Sequence, residues 1–274
     1  QTKYDVRTTR LYSYAWIVYG FLYIPIQLKT VSSIIQIVLP GLNLMVAMFI
    51  GVTIAVIYTS FSGMKGASAV GRVVCIGIYV LLICFVFTTL PKFGGFSGLL
   101  GELPEKYDSM GNMPTQRIVA WIVGGCISTA VMQAVLQPLL SAKSPEAARV
   151  GSILGYVIAA PICFFTAICG MLSKASGADL GDGSTAFAYA IKTFSSPVFA
   201  GIIFAFATMI IAATMATMML ATGTIITNVY KTEINPDVDD AKVLKLSKTI
   251  TFVFAYLTLI PAFLIPSKSL TNLF

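Results

Sequence analysis

The sequence predicts an all-α fold, a polytopic bundle of membrane-spanning helices. Three observations predict it. The 274 residues are 57% hydrophobic and only 11% charged, where a soluble domain carries about 25% charged residues. The apolar residues fall into seven runs, at 12–38, 43–62, 70–91, 116–140, 149–172, 197–229 and 247–266. None of these runs has Asp, Glu, Lys or Arg near its middle. A helix that crosses a bilayer core needs about 20 apolar residues, so lipid is the expected solvent for most of this surface.

Each run has its own boundaries. The first and sixth are long enough to tilt or to extend past the bilayer. Pro40-Gly41 separates the first from the second, and Pro91 to Pro114 separates the third from the fourth. Lys143-Ser144-Pro145-Glu146 precedes the fifth, and Asn235 to Lys248 precedes the seventh. These are the residues that end helices and build turns. Within the connector 173–196, Ser184 to Phe194 reads as a short amphipathic helix with Ser184 placed to cap it.

The net charge of +7 does not point to nucleic acid, because the basic residues are scattered over the short connectors. In a membrane protein such residues set orientation. With the N-terminal end inside, eleven fall on the inner side: Lys3, Arg7, Arg10, Lys65, Arg72, Lys143, Arg149, Lys231, Lys242, Lys245 and Lys248. The seven on the outer side are Lys29, Lys92, Lys106, Arg117, Lys174, Lys192 and Lys268. The expectation is a multi-pass protein of a cytoplasmic or plasma membrane, with its N-terminal end in the cytoplasm. Histidine is absent, which removes the commonest general base and metal ligand. The five cysteines lie in apolar runs without a CxxC pair and read as small hydrophobes in helix packing. No enzyme is expected, since no run carries a titratable group near mid-membrane.

The informative polar residues are neutral. In the fourth run, Gly124-Gly125 is followed by Ser128, Thr129, Gln133 and Gln137. Glycine weakens a helix, and Gln133 and Gln137 share a helical face with Thr129. An interrupted helix beside a polar face is how transporters offer backbone groups to a solute. The same spacing also suits close helix packing with polar groups bonded to neighbours. In the sixth run, Ala207, Thr214 and Thr217 lie along one side. That stripe suits tight helix contact, and threonine hydroxyls also suit a cation such as Na⁺.

Three stretches carry a family resemblance. Tyr58-Thr-Ser-Phe-Ser-Gly63-Met-Lys65 resembles a Tyr-x-x-x-Gly-Gly-x-Arg/Lys turn after a span. Gln137-Pro-Leu-Leu-Ser-Ala142-Lys143-Ser144, running on to Ala148-Arg149, resembles a Gln-Arg-x-Leu-Ala-Ala-Lys-Ser loop. Ala213-Thr214 to Tyr230-Lys231, with Ser247-Lys248 beyond, resembles a Ser-Ser/Thr run, its Asp-Ile-Tyr-Lys exit and the basic start of the next helix. In this order, over nearly the whole chain, they resemble the sodium:solute symporter family.

The resemblance implies a five-plus-five inverted repeat, with the seven runs as core helices three to nine. The chain begins at Gln1 and ends at Phe274 shortly after an apolar run. The expectation is therefore one transmembrane transporter domain over 1–274, truncated at both ends. Such a piece would need the missing parts of its own chain to transport. The fourth run becomes the broken helix, making Gly124, Gly125, Ser128, Thr129, Gln133 and Gln137 the implied solute-binding residues. Sodium, the possible coupling ion, would meet Ala213, Thr214 and a carbonyl near Ile210. Ala213 stands where the family usually has Ser, Gly71 where it often has Asp, and Val74 where Gln is expected. The implied function is secondary transport of a small organic, non-sugar solute with an altered sodium site. A sodium-independent carrier and a non-transporting solute sensor are the alternatives.

Overall fold

The computed structural model describes residues 5–107, 113–140, 142–180 and 185–266. Helix dominates them, and no strand occurs among them. Helix α1 spans Val6–Val38 and α2 spans Leu44–Thr89. Then come α3 (Gly95–Gly101), α4 (Thr115–Val131), α5 (Gln133–Leu140) and α6 (Pro145–Ala175). The chain continues through α7 (Ala186–Phe194), α8 (Pro197–Val229), α9 (Asp240–Leu257) and α10 (Leu259–Leu264).

By length and composition, five apolar helical stretches suffice to cross a bilayer: Val6–Val38, Gly71–Phe93, Pro145–Ala175, Pro197–Ile234 and Ala241–Leu264. Two shorter apolar helices, Leu44–Thr59 and Thr115–Ile127, bring the segments among the described residues to seven. These seven correspond to the seven expected runs. The surface agrees with a lipid solvent. On α6, Ile153, Val157, Ile158 and Phe164 are each more than half exposed, a large apolar area that water would not tolerate. The chain is an integral membrane protein.

Local chemistry explains most helix ends. The Asp5 carboxylate caps α1, accepting from the Thr8 N–H at 3.0 Å. Hydrogen bonds from Thr8 hold that carboxyl below its usual range. Ser144 caps α6 by accepting from the Ala147 N–H at 3.1 Å, and Pro145 follows at the first helical position. Beyond α1 the chain turns through Gly41 at φ +93°, a left-handed conformation that suits glycine. At the junction of α9 and α10, Pro261 has no N–H to donate back to Leu257. The helix breaks there at the buried Thr258.

Two expectations need correction. The backbone stays helical through 58–70, where a turn was expected, so the second and third runs join in α2. This stretch has no proline and one charge, Lys65. Each glycine in it weakens a helix by about 1 kcal/mol without ending it. The side chains of 60–70 lie outside those described. The short amphipathic helix is present as α7, with Ala188, Ala190 and Ile191 buried, but its cap position is Thr185. Ser184 lies outside the described residues.

The chain divides into two compact units, one of 1–72 with 208–274 and one of 73–207. In the first, close approaches of glycine to threonine seat α8 between two neighbours. A methyl group on Gly20 of α1 would stand 2.5 Å from Thr222 Oγ1, and one on Gly223 would stand 2.1 Å from Thr251 Oγ1. Both hydroxyls are buried without a hydrogen-bond partner, as is Trp16 Nε1. Small residues let membrane helices approach this closely. At one end of this unit, Arg10 Nε donates to Glu233 Oε1 at 2.8 Å, and the Tyr14 hydroxyl donates to Oε2 at 3.3 Å. The pair is solvent-accessible, with 51% of the Arg10 side chain exposed. Glu233→Gln should therefore cost about 0.5 kcal/mol, a melting shift of a degree or two by thermal denaturation in detergent.

In the second unit, Val74, Ile78, Leu82 and Phe85 of α2, Ile168 and Leu172 of α6 and Ile203 of α8 are buried. Phe206 lies over Gly77, and the Tyr79 hydroxyl donates to the Ile158 carbonyl. Of the cysteines, Cys169 is buried as expected, whereas Cys84, Cys126 and Cys163 are exposed.

Candidate functional site

The candidate solute segment is interrupted, but not at the glycine pair. α4 runs unbroken through Gly124-Gly125 to Val131. Met132 is extended, at φ −68° and ψ 116°, and α5 begins at Gln133. The glycines stay helical because an apolar surrounding leaves intrahelical bonds as the only partners for the backbone. The weak point lies further on. Thr129 Oγ1 donates to the Gly125 carbonyl at 2.6 Å. The same back-bonding occurs at Thr214 and Thr217 in the unbroken α8, so it does not by itself account for the break. The Val135 and Leu136 N–H groups both turn to the Met132 carbonyl, each at 2.9 Å, which starts α5.

This moves the side chains relative to the expectation. Thr129 and Gln133 flank the break instead of stacking one turn apart, while Gln133 and Gln137 both belong to α5. Thr129 and Gln133 are half-buried, and the side chains of Ser128 and Gln137 lie outside those described. A helix end leaves its last four C=O and its next first four N–H groups without intrahelical partners. Two ends meeting at Met132 therefore concentrate polar backbone in an apolar stretch. Among the described residues, a methyl group on Gly124 or Gly125 would meet no atom within 4 Å beyond the backbone of its own helix. Among the described residues the glycine pair is not a close-packing contact.

The candidate sodium ligands lie on α8, in the other unit. Here α8 is unbroken. Thr214 Oγ1 donates to the Ile210 carbonyl at 3.1 Å, and Thr217 Oγ1 donates to the Ala213 carbonyl at 2.9 Å. A hydroxyl that donates its proton keeps its lone pairs for a cation. The Ile210 carbonyl, however, lies within a continuous helix rather than at an unwound turn. Ala213 and Thr214 are half-buried, and this pair offers one side-chain oxygen. These residues suit part of a Na⁺ shell and do not complete one.

Sequence reading missed Met132 and a cleft beside α6 and α7, most of whose lining residues stood only as connector. The proline at 138, six residues beyond Met132, was the nearest helix-disfavouring residue in the sequence.

Comparisons with known proteins agree with this architecture. The sequence profile of the sodium:solute symporter family matches residues 3–274. An uncharacterized symporter, YodF of Bacillus subtilis, is 24% identical over 263 residues, covering 91% of this chain and 52% of that protein. A monocarboxylate transport permease protein of Rhizobium johnstonii is 24% identical over 253 residues, covering 87% of this chain and 50% of that protein. The chain spans about half the length of these curated relatives. Seven apolar helical segments among the described residues and a profile match over almost every residue place the chain in the sodium:solute symporter family.

Proposed function

We propose that the protein is a secondary transporter that carries a small organic solute past the interrupted α4–α5 segment, with weakened sodium coupling. The observation that carries this reading is the break at Met132, flanked by Thr129 and Gln133. Backbone groups without helical partners, next to a hydroxyl and an amide, can bind a polar solute at membrane depth. Gly124, Gly125, Ser128 and Gln137 complete the proposed solute segment. The Rhizobium relative is a monocarboxylate permease, which makes short monocarboxylates the first solutes to test. The test is uptake by proteoliposomes holding the full-length protein, with a radiolabelled panel of short monocarboxylates and neutral solutes. Accumulation under a Na⁺ or H⁺ gradient supports the reading. Binding without accumulation under any gradient would favour a solute sensor instead.

The sodium part rests on α8. The Thr214 hydroxyl and the Ile210 carbonyl form its share of the ion's shell, and Ala213 contributes no side-chain oxygen. A buried cation short of one oxygen ligand binds more weakly. Ala213→Ser should lower the Na⁺ concentration for half-maximal uptake about tenfold, the worth of one good polar contact. Thr214→Ala should raise it by a similar factor. Uptake that stays Na⁺-driven but ignores both substitutions places the ion elsewhere, and uptake equal without Na⁺ marks a sodium-independent carrier.

A further inference from the structure

Helix α6 has two unlike halves. No residue from Pro145 to Ala160 is buried, whereas Ile168, Cys169, Leu172 and Ser173 are. Ser173, only 1% exposed, donates to the Ala186 carbonyl at 2.7 Å and ties this end of α6 to the start of α7. Pro161 stands between the halves. It has no N–H for the Val157 carbonyl, and its ring crowds that carbonyl. Val157 and Ile158 are both more than half exposed on an apolar helix. Backbone groups that a proline disturbs in such a setting need partners from elsewhere in the protein.

Tyr79 of α2 is such a partner. Its hydroxyl donates to the Ile158 carbonyl and accepts from the Ile162 N–H, the two ends of one rung of the α6 ladder. Phe165 holds the ring edge-on, with centroids 6.4 Å apart and planes at 88°. On α2, the adjacent Ile78 is buried, as is Leu82 one turn on, so the tyrosine projects from an anchored stretch. A proline and a side chain set into the ladder are two separate causes of helix bending, and here they fall on the same turn. A free half, an anchored half and a joint whose backbone is bonded from a neighbouring helix make a hinge. Residues 141–144 alone separate the free half from α5, so a swing at Pro161 takes α5 with it.

We propose that Pro161 and Tyr79 form a hinge in α6. The half before Pro161 swings with α5 against the half anchored to α7, and Tyr79 is the positioning residue that sustains the bent form. The proposal is independent of transport, because it is tested without solute or gradient. The full-length protein, its native cysteines replaced by alanine, is placed in lipid nanodiscs. Spin labels at Val150→Cys and Lys192→Cys span the hinge, and labels at Phe87→Cys and Lys192→Cys report the anchored part. Double electron–electron resonance measures both separations. Val150 stands eleven residues from Pro161, about 16 Å along the helix. A change of about 20° at the hinge therefore moves it by about 6 Å. The expected Val150–Lys192 distribution is broader than the Phe87–Lys192 one by about 3–6 Å. Tyr79→Phe keeps the ring and removes the hydroxyl, and Pro161→Ala restores the missing N–H. Each should narrow the distribution to the width of the control pair, and the double variant should add nothing. Pro161→Ala adds a backbone bond, so it tests the hinge even where Tyr79→Phe lowers the melting temperature. A Val150–Lys192 distribution as narrow as the control from the outset, a width that survives Pro161→Ala or a folded Tyr79→Phe, or an equal change in the control pair overturns the proposal.

Discussion

A methyl group on Gly223 will destabilise the protein by about 3 kcal/mol, the upper end of the cost of overpacking. The added carbon would stand 2.1 Å from Thr251 Oγ1, 3.2 Å from its Cβ and 3.4 Å from its Cα. Even a rotated threonine keeps its Cβ too near, so Gly223→Ala forces α8 and α9 apart. Gly20→Ala is the milder case. Its methyl meets Thr222 Oγ1 at 2.5 Å but the Thr222 Cβ at 3.6 Å. Removing the hydroxyl turns that clash into ordinary contact. Thr222→Ala should therefore recover most of the stability that Gly20→Ala loses, the more so because this hydroxyl has no partner to forfeit. Thr251→Ala should recover only part of what Gly223→Ala loses. Thermal denaturation of the four single and two double variants in detergent reads both cycles. Equal rescue at the two sites would show that the helices are free to shift at the α8–α9 contact.

Thr129→Val and Gln133→Leu should each lower the uptake efficiency, kcat/KM, by about tenfold or more. A solute polar group left without its partner costs about 1–3 kcal/mol, and 1.4 kcal/mol is tenfold. Both variants keep their side-chain volume close to the original, so melting temperature should hold. Gly125→Ala is the contrast. It meets open space and leaves the Thr129 hydroxyl its carbonyl partner, so its loss should stay within about threefold. Uptake measured in proteoliposomes that is unchanged by Thr129→Val and Gln133→Leu would remove the break at Met132 from the solute path.

The fold was legible because lipid imposes a one-dimensional rule. A span must be apolar over its length and satisfy its own backbone, and that rule can be counted along the chain without knowing any contact. The sixth run, 197–229, coincides with α8 for this reason. The seventh begins earlier than expected, at Asp240, because a polar amphipathic turn is invisible to hydropathy. The position of the helix break was less legible. Glycine signals weakness, but weakness becomes a break only where something competes for the backbone. At Gly124-Gly125 the backbone stays helical, and the break comes seven residues after Gly125, at the extended Met132. The cleft beside α6 was not legible at all. Lys174 and Asp179 lie five residues apart across the end of α6, but Tyr107 comes from the segment after α3, and only a tertiary fold brings it beside them.

Cys126 follows Gly125 directly on α4 and is exposed. That placement supplies a native reporter for the proposed solute segment. Once Cys84 and Cys163, the other exposed thiols, are replaced by alanine, alkylation by a small membrane-permeant maleimide has one principal target. Its rate then follows how open the surroundings of α4 are, residue by residue, as gradients and solutes are applied. A solute seated at the break should slow the modification, and a solute that never reaches α4 should leave it unchanged. The chain thus carries its own probe for the proposed solute segment, with no residue introduced into it.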